Sequence, residues 1–428
     1  MTKKIFIAAM AALFLLPSFA PGNGLNLNGL GSRAQGMGGA FVGIADDFSA
    51  VFWNPAGAAG FRQTTFGFTA VDLMPRATYS QRGITLEVPE IDAKTKFSHY
   101  LGGLAAYYKP IGSRVVVGLG IGTPSSQGII WDGSDFADVP DGPVYDRSRT
   151  TGVFAFSPLV AVKLNEWLSV GAAINVNLGT FSLKGPSGNW LLGEGGEAVD
   201  VGQYEENMNG WGFGATFGVL VKPIDKLGIG LSVRTRSTIS YNGTARLSNL
   251  SLYGLPDSSA LERKITWPLW IAGGVSFRPL EGLLLSADVQ WTQWSKIRPT
   301  TSYLDPFWQL NMPWSFDGRT VFGLPDLFWK NSTQLRLGVE YTVSATTAFR
   351  AGYYNDPAPG PFTTMNLLLP TYTYNALSLG VGRTIGDLQL DFGLEYLAGK
   401  DRSNDMGVVA TSYGMSIVVP SVSVGYKF

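Results

Sequence analysis

Few side chains in this chain could make or break bonds. The sole histidine is His99 and cysteine is absent, so thiolate nucleophiles, thiolate metal sites and disulfides are excluded. A lone histidine would need a serine beside it to cleave lipid, or an acidic partner to cleave peptide, and the sequence indicates neither around His99. No phosphate-cradling loop and no metal-ligand cluster occurs. The expectation is no catalytic residue, no metal and no cofactor. Binding chemistry remains. Arg234, Arg336 and Arg350 are candidates, because a guanidinium holds a carboxylate through paired hydrogen bonds. With Arg236 they accompany Asp288, Glu340, Asp391 and Glu395, so mutual ion pairing is the competing reading.

Whether these charges share one surface depends on the elements that carry them. From about Thr64 onward, apolar residues alternate with polar residues or glycine. Leu388, Leu390, Phe392, Leu394 and Tyr396 interleave with Gln389, Asp391, Gly393 and Glu395. Leu335, Leu337, Val339 and Tyr341 do the same against Gln334, Arg336, Gly338 and Glu340. A period of two means strands with one apolar face. In a soluble sandwich the charged face is outside; in a transmembrane barrel it is inside and the apolar face meets lipid.

Connection lengths separate the two. The pattern predicts fourteen strands, near 64–72, 97–108, 114–123, 150–163, 167–183, 210–221, 227–243, 264–277, 282–295, 332–342, 347–355, 374–384, 387–397 and 419–428. Every second link is short, such as Lys109 to Ser113, Asn165-Glu166, Arg278 to Glu281 and Ile385-Gly386. Those between are long, such as 124–149, 184–209, 244–263 and 296–331. Short turns on one side, long loops on the other and an even strand number describe an all-β, fourteen-stranded antiparallel barrel of the outer membrane. Closure also gives every strand partners on both edges, which lipid requires.

The ends of the chain agree. Lys3 and Lys4 precede an apolar run from Ile5 to Leu16 and then small residues, the pattern of a secretory signal peptide, set at residues 1–22. The last strand ends Ser-Val-Gly-Tyr-Lys-Phe428, similar to the terminal signal that barrel-insertion machinery reads. Lysines and arginines equal acidic residues at 32 each, so no electrostatic footprint for nucleic acid exists.

Residues 23–63 do not alternate. They are rich in glycine and small residues, which lets backbone pack closely, and they suit a compact plug ahead of a barrel at 64–428. Gly36-Met37-Gly38-Gly39-Ala40, Ala45-Asp46-Asp47 and Asn54-Pro55-Ala56-Gly57 resemble the FadL family of outer-membrane transporters for long-chain fatty acids, whose relatives take aromatic hydrocarbons. Trp291-Thr292-Gln293-Trp294-Ser295, Leu335 to Tyr341 and Phe349-Arg350-Ala351-Gly352-Tyr353 are also similar to it, so the likeness runs along the whole mature chain.

That resemblance implies a fourteen-stranded barrel whose N-terminal hatch blocks the lumen. It also implies that Asn54, Pro55 and Ala56 lie beside an inward kink in the third strand, through which ligand moves sideways into lipid. Gly118, Gly120 and Gly122 share one face of that strand and would permit a bend, or would simply make room for the hatch. Ligand capture would fall to the third and fourth external loops. These hold Trp190, Leu191 and Leu192, and Leu247, Leu250, Leu252, Tyr253 and Leu255. The fifth loop carries Phe307, Trp308, Trp314, Phe316, Phe322, Phe328 and Trp329, either as an interfacial girdle, Trp329 especially, or as an entrance. The expected function is passive uptake of hydrophobic small molecules by a monomer set in outer-membrane lipid and lipopolysaccharide. A general diffusion porin and a barrel lipid hydrolase are the alternatives.

Overall fold

Alternation becomes a closed ring in the computed structural model, which describes residues 24, 27–83, 90–136, 143–187, 189–192, 197–297, 300–305, 308, 327–404 and 409–428. The signal-peptide residues 1–22 lie outside that set. Fourteen antiparallel strands are present among the described residues. They are β1 Thr65–Gly83, β2 Tyr100–Ile111, β3 Val115–Trp131, β4 Arg147–Lys163 and β5 Leu168–Pro186. Next come β6 Gln203–Ile224, β7 in two parts, Leu227–Arg234 and Ser237–Leu247, and β8 likewise, Ser258–Trp267 and Trp270–Leu280. The ring continues with β9 Leu283–Thr292, β10 Ser332–Ser344, β11 Thr347–Asp356, β12 Tyr374–Ile385, β13 Leu388–Gly399 and β14 Val409–Lys427. Thr65 opposite Lys427 and Gly83 opposite Val409 close β1 onto β14.

All fourteen expected strands are found in order, but several run further on the long-loop side. β1 continues to Gly83 and β14 starts at Val409, where the sequence pattern suggested 72 and 419. Beyond the lipid both faces of a strand are wet, so the apolar contrast fades while the hydrogen-bond ladder continues. At the other end the turns are tight, and Gly282 and Gly386 hold positive φ of 74° and 58°, which glycine adopts without strain.

The faces sort as a membrane barrel requires. On β13, Phe392, Leu394 and Tyr396 are 56%, 50% and 48% exposed while Asp391 and Glu395 are buried. Trp211, Phe213 and Phe217 of β6 are likewise exposed to the outside. An apolar outer belt around a buried polar interior is stable only with acyl chains outside.

The bore is occupied. Residues 27–61 fold into α1 Ser32–Gly36, α2 Ala50–Trp53 and a 3-10 helix Pro55–Gly60. This segment bonds to strands around the ring. Ser32 N donates to Ser423 Oγ at 2.8 Å, Gly38 N to Ser378 Oγ at 3.0 Å, and Tyr108 Oη to the Phe48 carbonyl at 2.6 Å. Two wall glycines show how closely backbones meet. A Cβ at Gly352 would sit 2.0 Å from Gly38 N, and one at Gly218 would sit 2.1 Å from Asn54 Oδ1. The glycine-rich inner faces and the glycine-rich segment are thus two sides of one contact.

Candidate functional site

Most interior charges anchor this segment. Arg33 on α1 grips Glu340 of β10 with two bonds, Nε to Oε2 at 2.8 Å and Nη2 to Oε1 at 3.0 Å, and also pairs with Asp46. Glu340 accepts from Arg350 of β11 at 2.7 Å, and Arg350 continues to Asp391 of β13 at 2.7 Å. Arg336 donates to the carbonyls of Asn28 and Gly38 at 2.9 and 3.1 Å and twice to Gln334. Asp288 Oδ2 accepts the amides of Phe41 and Val42, both at 2.9 Å. Of the two readings of these arginines, the structure has Arg350 in the mutual ion-pair network and Arg336 bonded to the backbone of the segment. Their partners lie too far along the chain for spacing to reveal.

Arg234 is placed differently. Its Nη2 donates to the Phe52 carbonyl at 2.9 Å and its guanidinium lies 4.8 Å from the Phe52 ring and 5.0 Å from that of Trp270. No carboxylate pairs with it among the described residues. It lines a cavity bounded by Leu30, Val51, Gly122, Pro124, Val153 and Trp267. Asn175, Asn177, Thr216 and Ser237 form a hydrogen-bonded polar patch in or beside it.

A second cavity lies between the segment and the other half of the ring. Leu27, Val71, Leu73, Ile129, Leu397 and Ile417 give it apolar walls. Into it point Arg149 of β4, 5% exposed, and Tyr100 of β2. Arg149 Nε and Tyr100 Oη are both buried without a hydrogen-bond partner. A buried, unsatisfied guanidinium is costly. Arg149 Nε and Tyr100 Oη are therefore the interior donors best suited to an acidic group from outside the chain, in a cavity whose lining also includes Asp356 and Glu395. The sequence reading missed both. It ended the second external loop at residue 149, whereas β4 begins at Arg147. Counting alternation two residues further back would have put Arg149 on the inner face with Thr151 and Val153.

The third strand is interrupted at the last of its three glycines. Gly118 makes room for the Tyr108 ring and Gly120 for Val51, where a Cβ would come within 2.7 Å of each. The ladder with β2 stops at Leu104 opposite Gly122, and that with β4 shifts between Gly122 and Ser125. Thr123 and Pro124 occupy the break. Across it Thr123 Oγ1 accepts from Gly103 N at 2.7 Å, and Ser126 Oγ donates to the Leu101 carbonyl at 3.0 Å. Leu27 N donates to the Pro124 carbonyl at 3.0 Å. Asn54-Pro55-Ala56 lies elsewhere. Asn54 donates to the Val42 and Val219 carbonyls, both at 3.0 Å, and Pro55 lies against Gly171 and Gly218 on β5 and β6. Leu27 and Val51, not the Asn-Pro-Ala turn, face the interruption.

In the external loops, Trp190, Leu191 and Leu192 form a short strand whose side chains lie outside the described set. Leu247 and Leu250 are fully buried in a cluster with Trp294, Trp308 and Trp329, which leaves Leu252, 77% exposed, and Tyr253 facing water, with Leu255 half-buried. Trp329 is 5% exposed and meets Trp294 edge to face, so it belongs to this cap and not to an interfacial girdle. Phe328 is exposed, while Phe307, Trp314, Phe316 and Phe322 lie outside the described residues. His99 does have an acidic neighbour, Asp72, with Nδ1 to Oδ2 at 2.6 Å, but no serine hydroxyl bonds its ring among the described residues.

A closed barrel with an apolar belt, a filled bore and apolar interior cavities defines an outer-membrane transport protein. The sequence matches the family described as outer membrane protein transport protein (OMPP1/FadL/TodX) over residues 13–419, and the chain belongs to it. No curated protein matches. Among solved structures, a FadL homologue of Pseudomonas aeruginosa is similar at 18% identity and TM-score 0.73, covering 95% of this chain and 100% of that one. The toluene transporter TodX of Pseudomonas putida is similar at 15% identity and TM-score 0.71, covering 94% and 99%. The toluene transporter TbuX of Ralstonia pickettii is similar at 18% identity and TM-score 0.63, also covering 94% and 99%. The protein resides in the outer membrane, as the family and the barrel together require.

Proposed function

We infer that the protein passes hydrophobic molecules bearing one acidic group, of the long-chain fatty-acid type, into the cell without energy input. The observation that carries this reading is the presence of unpartnered Arg149 Nε and Tyr100 Oη in the lining of one interior cavity that also has an apolar flank. A carboxylate would take both donors, while the acyl chain would lie along Leu73, Ile129, Leu397 and Ile417. A neutral aromatic hydrocarbon, the cargo named for TodX and TbuX, would leave those donors unsatisfied.

In this reading the exposed Leu252 and Tyr253 make the first contact and residues 23–63 act as the hatch. Movement of Leu27 from Pro124 would join the acid-binding cavity to the cavity at Arg234, with release past the hatch or sideways through the β3 break. The test is uptake of radiolabelled oleate and of toluene by cells lacking their own fatty-acid channel. Expression of the chain should raise oleate uptake at least fivefold, and Arg149→Gln should abolish most of that gain without changing the amount of folded barrel. Equal uptake of oleate by the Arg149→Gln variant would contradict the assignment.

A further inference from the structure

The cavity at Arg234 meets the barrel wall at a second irregular place, far from the β3 break. In a regular strand, residues three apart point to opposite faces. Yet Arg234 and Ser237 of β7 both line this cavity, and so do Trp267 and Trp270 of β8. Each strand therefore carries a bulge, and the two bulges face each other. Arg234 is opposite Trp270 and Ser237 opposite Trp267, which leaves Thr235-Arg236 across from Pro268-Leu269 with no ladder between them. Pro268 has no N–H to offer at this level. The next strand also ends here: β9 pairs up to Thr292, and higher up β8 takes the short strand Thr300–Leu304 as its neighbour.

Backbone without ladder partners is costly in a lipid-facing wall, so a paired interruption there calls for a reason. Thr235 and Pro268 line the cavity from inside. Outside, exposed Arg236 of β7 reaches over β8 to Gln293 beyond β9, with Nε donating to Oε1 at 2.9 Å. Arg236 stands nine residues above Leu227 at the turn end of β7. At about 3.3 Å per residue and a tilt of about 40°, that height is roughly 23 Å, near the outer edge of the apolar band. Among the residues lining the cavity, Trp267 Nε1 is buried without a partner, and Arg234 has no carboxylate partner among the described residues.

From these observations we propose that the β7–β8 seam is a second side port, strapped by Arg236 and Gln293, through which the Arg234 cavity exchanges apolar, acceptor-bearing compounds with the outer leaflet. This rests on the uptake function above and adds to the β3 break a second route. Ligand from lipid would enter between Thr235 and Pro268, present its acceptor to Trp267 Nε1 and Arg234, and lie against the Trp270 and Phe52 rings.

The absence of cysteine makes the test direct. One pair, Leu101→Cys with Ser126→Cys, staples the β3 break on oxidation. Another, Thr235→Cys with Leu269→Cys, staples the seam. Oleate uptake is measured for each pair and for both together, oxidised and after reduction, with heat-modifiable gel mobility confirming the folded barrel. The β3 staple alone should leave at least a third of uptake. Adding the seam staple should lower the remainder at least fivefold, and reductant should restore it. Complete loss with the β3 staple alone, or no further loss on adding the seam staple, overturns the second port. No uptake by the unstapled, reduced chain would instead overturn the transport reading, and the port with it.

Discussion

The arginines of the interior divide by what surrounds them. Arg33, Arg336 and Arg350 spend their donors on carboxylates, an amide and backbone carbonyls, whereas Arg149 and Arg234 line cavities and no carboxylate pairs with either among the described residues. Substitution should separate the groups. Hydrogen bonds to charged groups contribute about 1.5–3 kcal/mol, so Arg149→Gln should weaken oleate binding roughly 10- to 100-fold by titration in detergent, with stability little changed. Arg350→Met should do the reverse. Glu340 would keep Arg33, but Asp391 would be left buried with only Gln389, and loss of its cation costs about 3–5 kcal/mol, visible as a lower urea midpoint for the barrel in lipid, while the folded fraction binds oleate normally. A Cβ at Gly218 has no room beside Asn54 Oδ1, so Gly218→Val should destabilise by about 1–3 kcal/mol, read as a lower thermal midpoint. Alternation alone placed Arg234, Arg236, Arg336 and Arg350 inward, which holds for three of them, whereas Arg236, past the bulge in β7, is exposed. It could not show which was free, because Arg336 bonds Asn28 and Gly38, about three hundred positions away.

Elements were legible where the chain repeats a rule and illegible where it breaks one. The alternation of short and long links gave all fourteen strands, since each link must return the chain to the neighbouring position in a closed ring. The breaks were only partly legible. Of the three glycines, 118 and 120 make room for Tyr108 and Val51, while Gly122 adjoins the interruption, which falls on Thr123-Pro124. The bulges in β7 and β8 shift the face pattern by one residue in both strands together, so 227–243 and 264–277 each read as one strand. The N-terminal segment should respond as one element when an anchor is cut. Asp288→Leu removes the acceptor for two amides, and hydrogen exchange at Phe41 and Val42 should quicken at least tenfold while the β9 amides keep their protection. Unchanged exchange at both amides would show that Asp288 is not what holds the segment.

At the scale of the whole molecule, the account requires a barrel that is shut to ions yet open to oily solutes. Trp53, Phe41 and Leu30 are buried within the bore, and the two cavities lie on either side of the segment that fills it. A porin of the same strand number would leave that volume to water. Single-channel recording in planar bilayers therefore tests the central claim most directly. The intact chain should insert without stepwise ion conductance, and deletion of residues 24–61 should produce large, ohmic steps from the same barrel. Open-pore steps from the intact chain, equal in size to those of the deletion, would contradict the account.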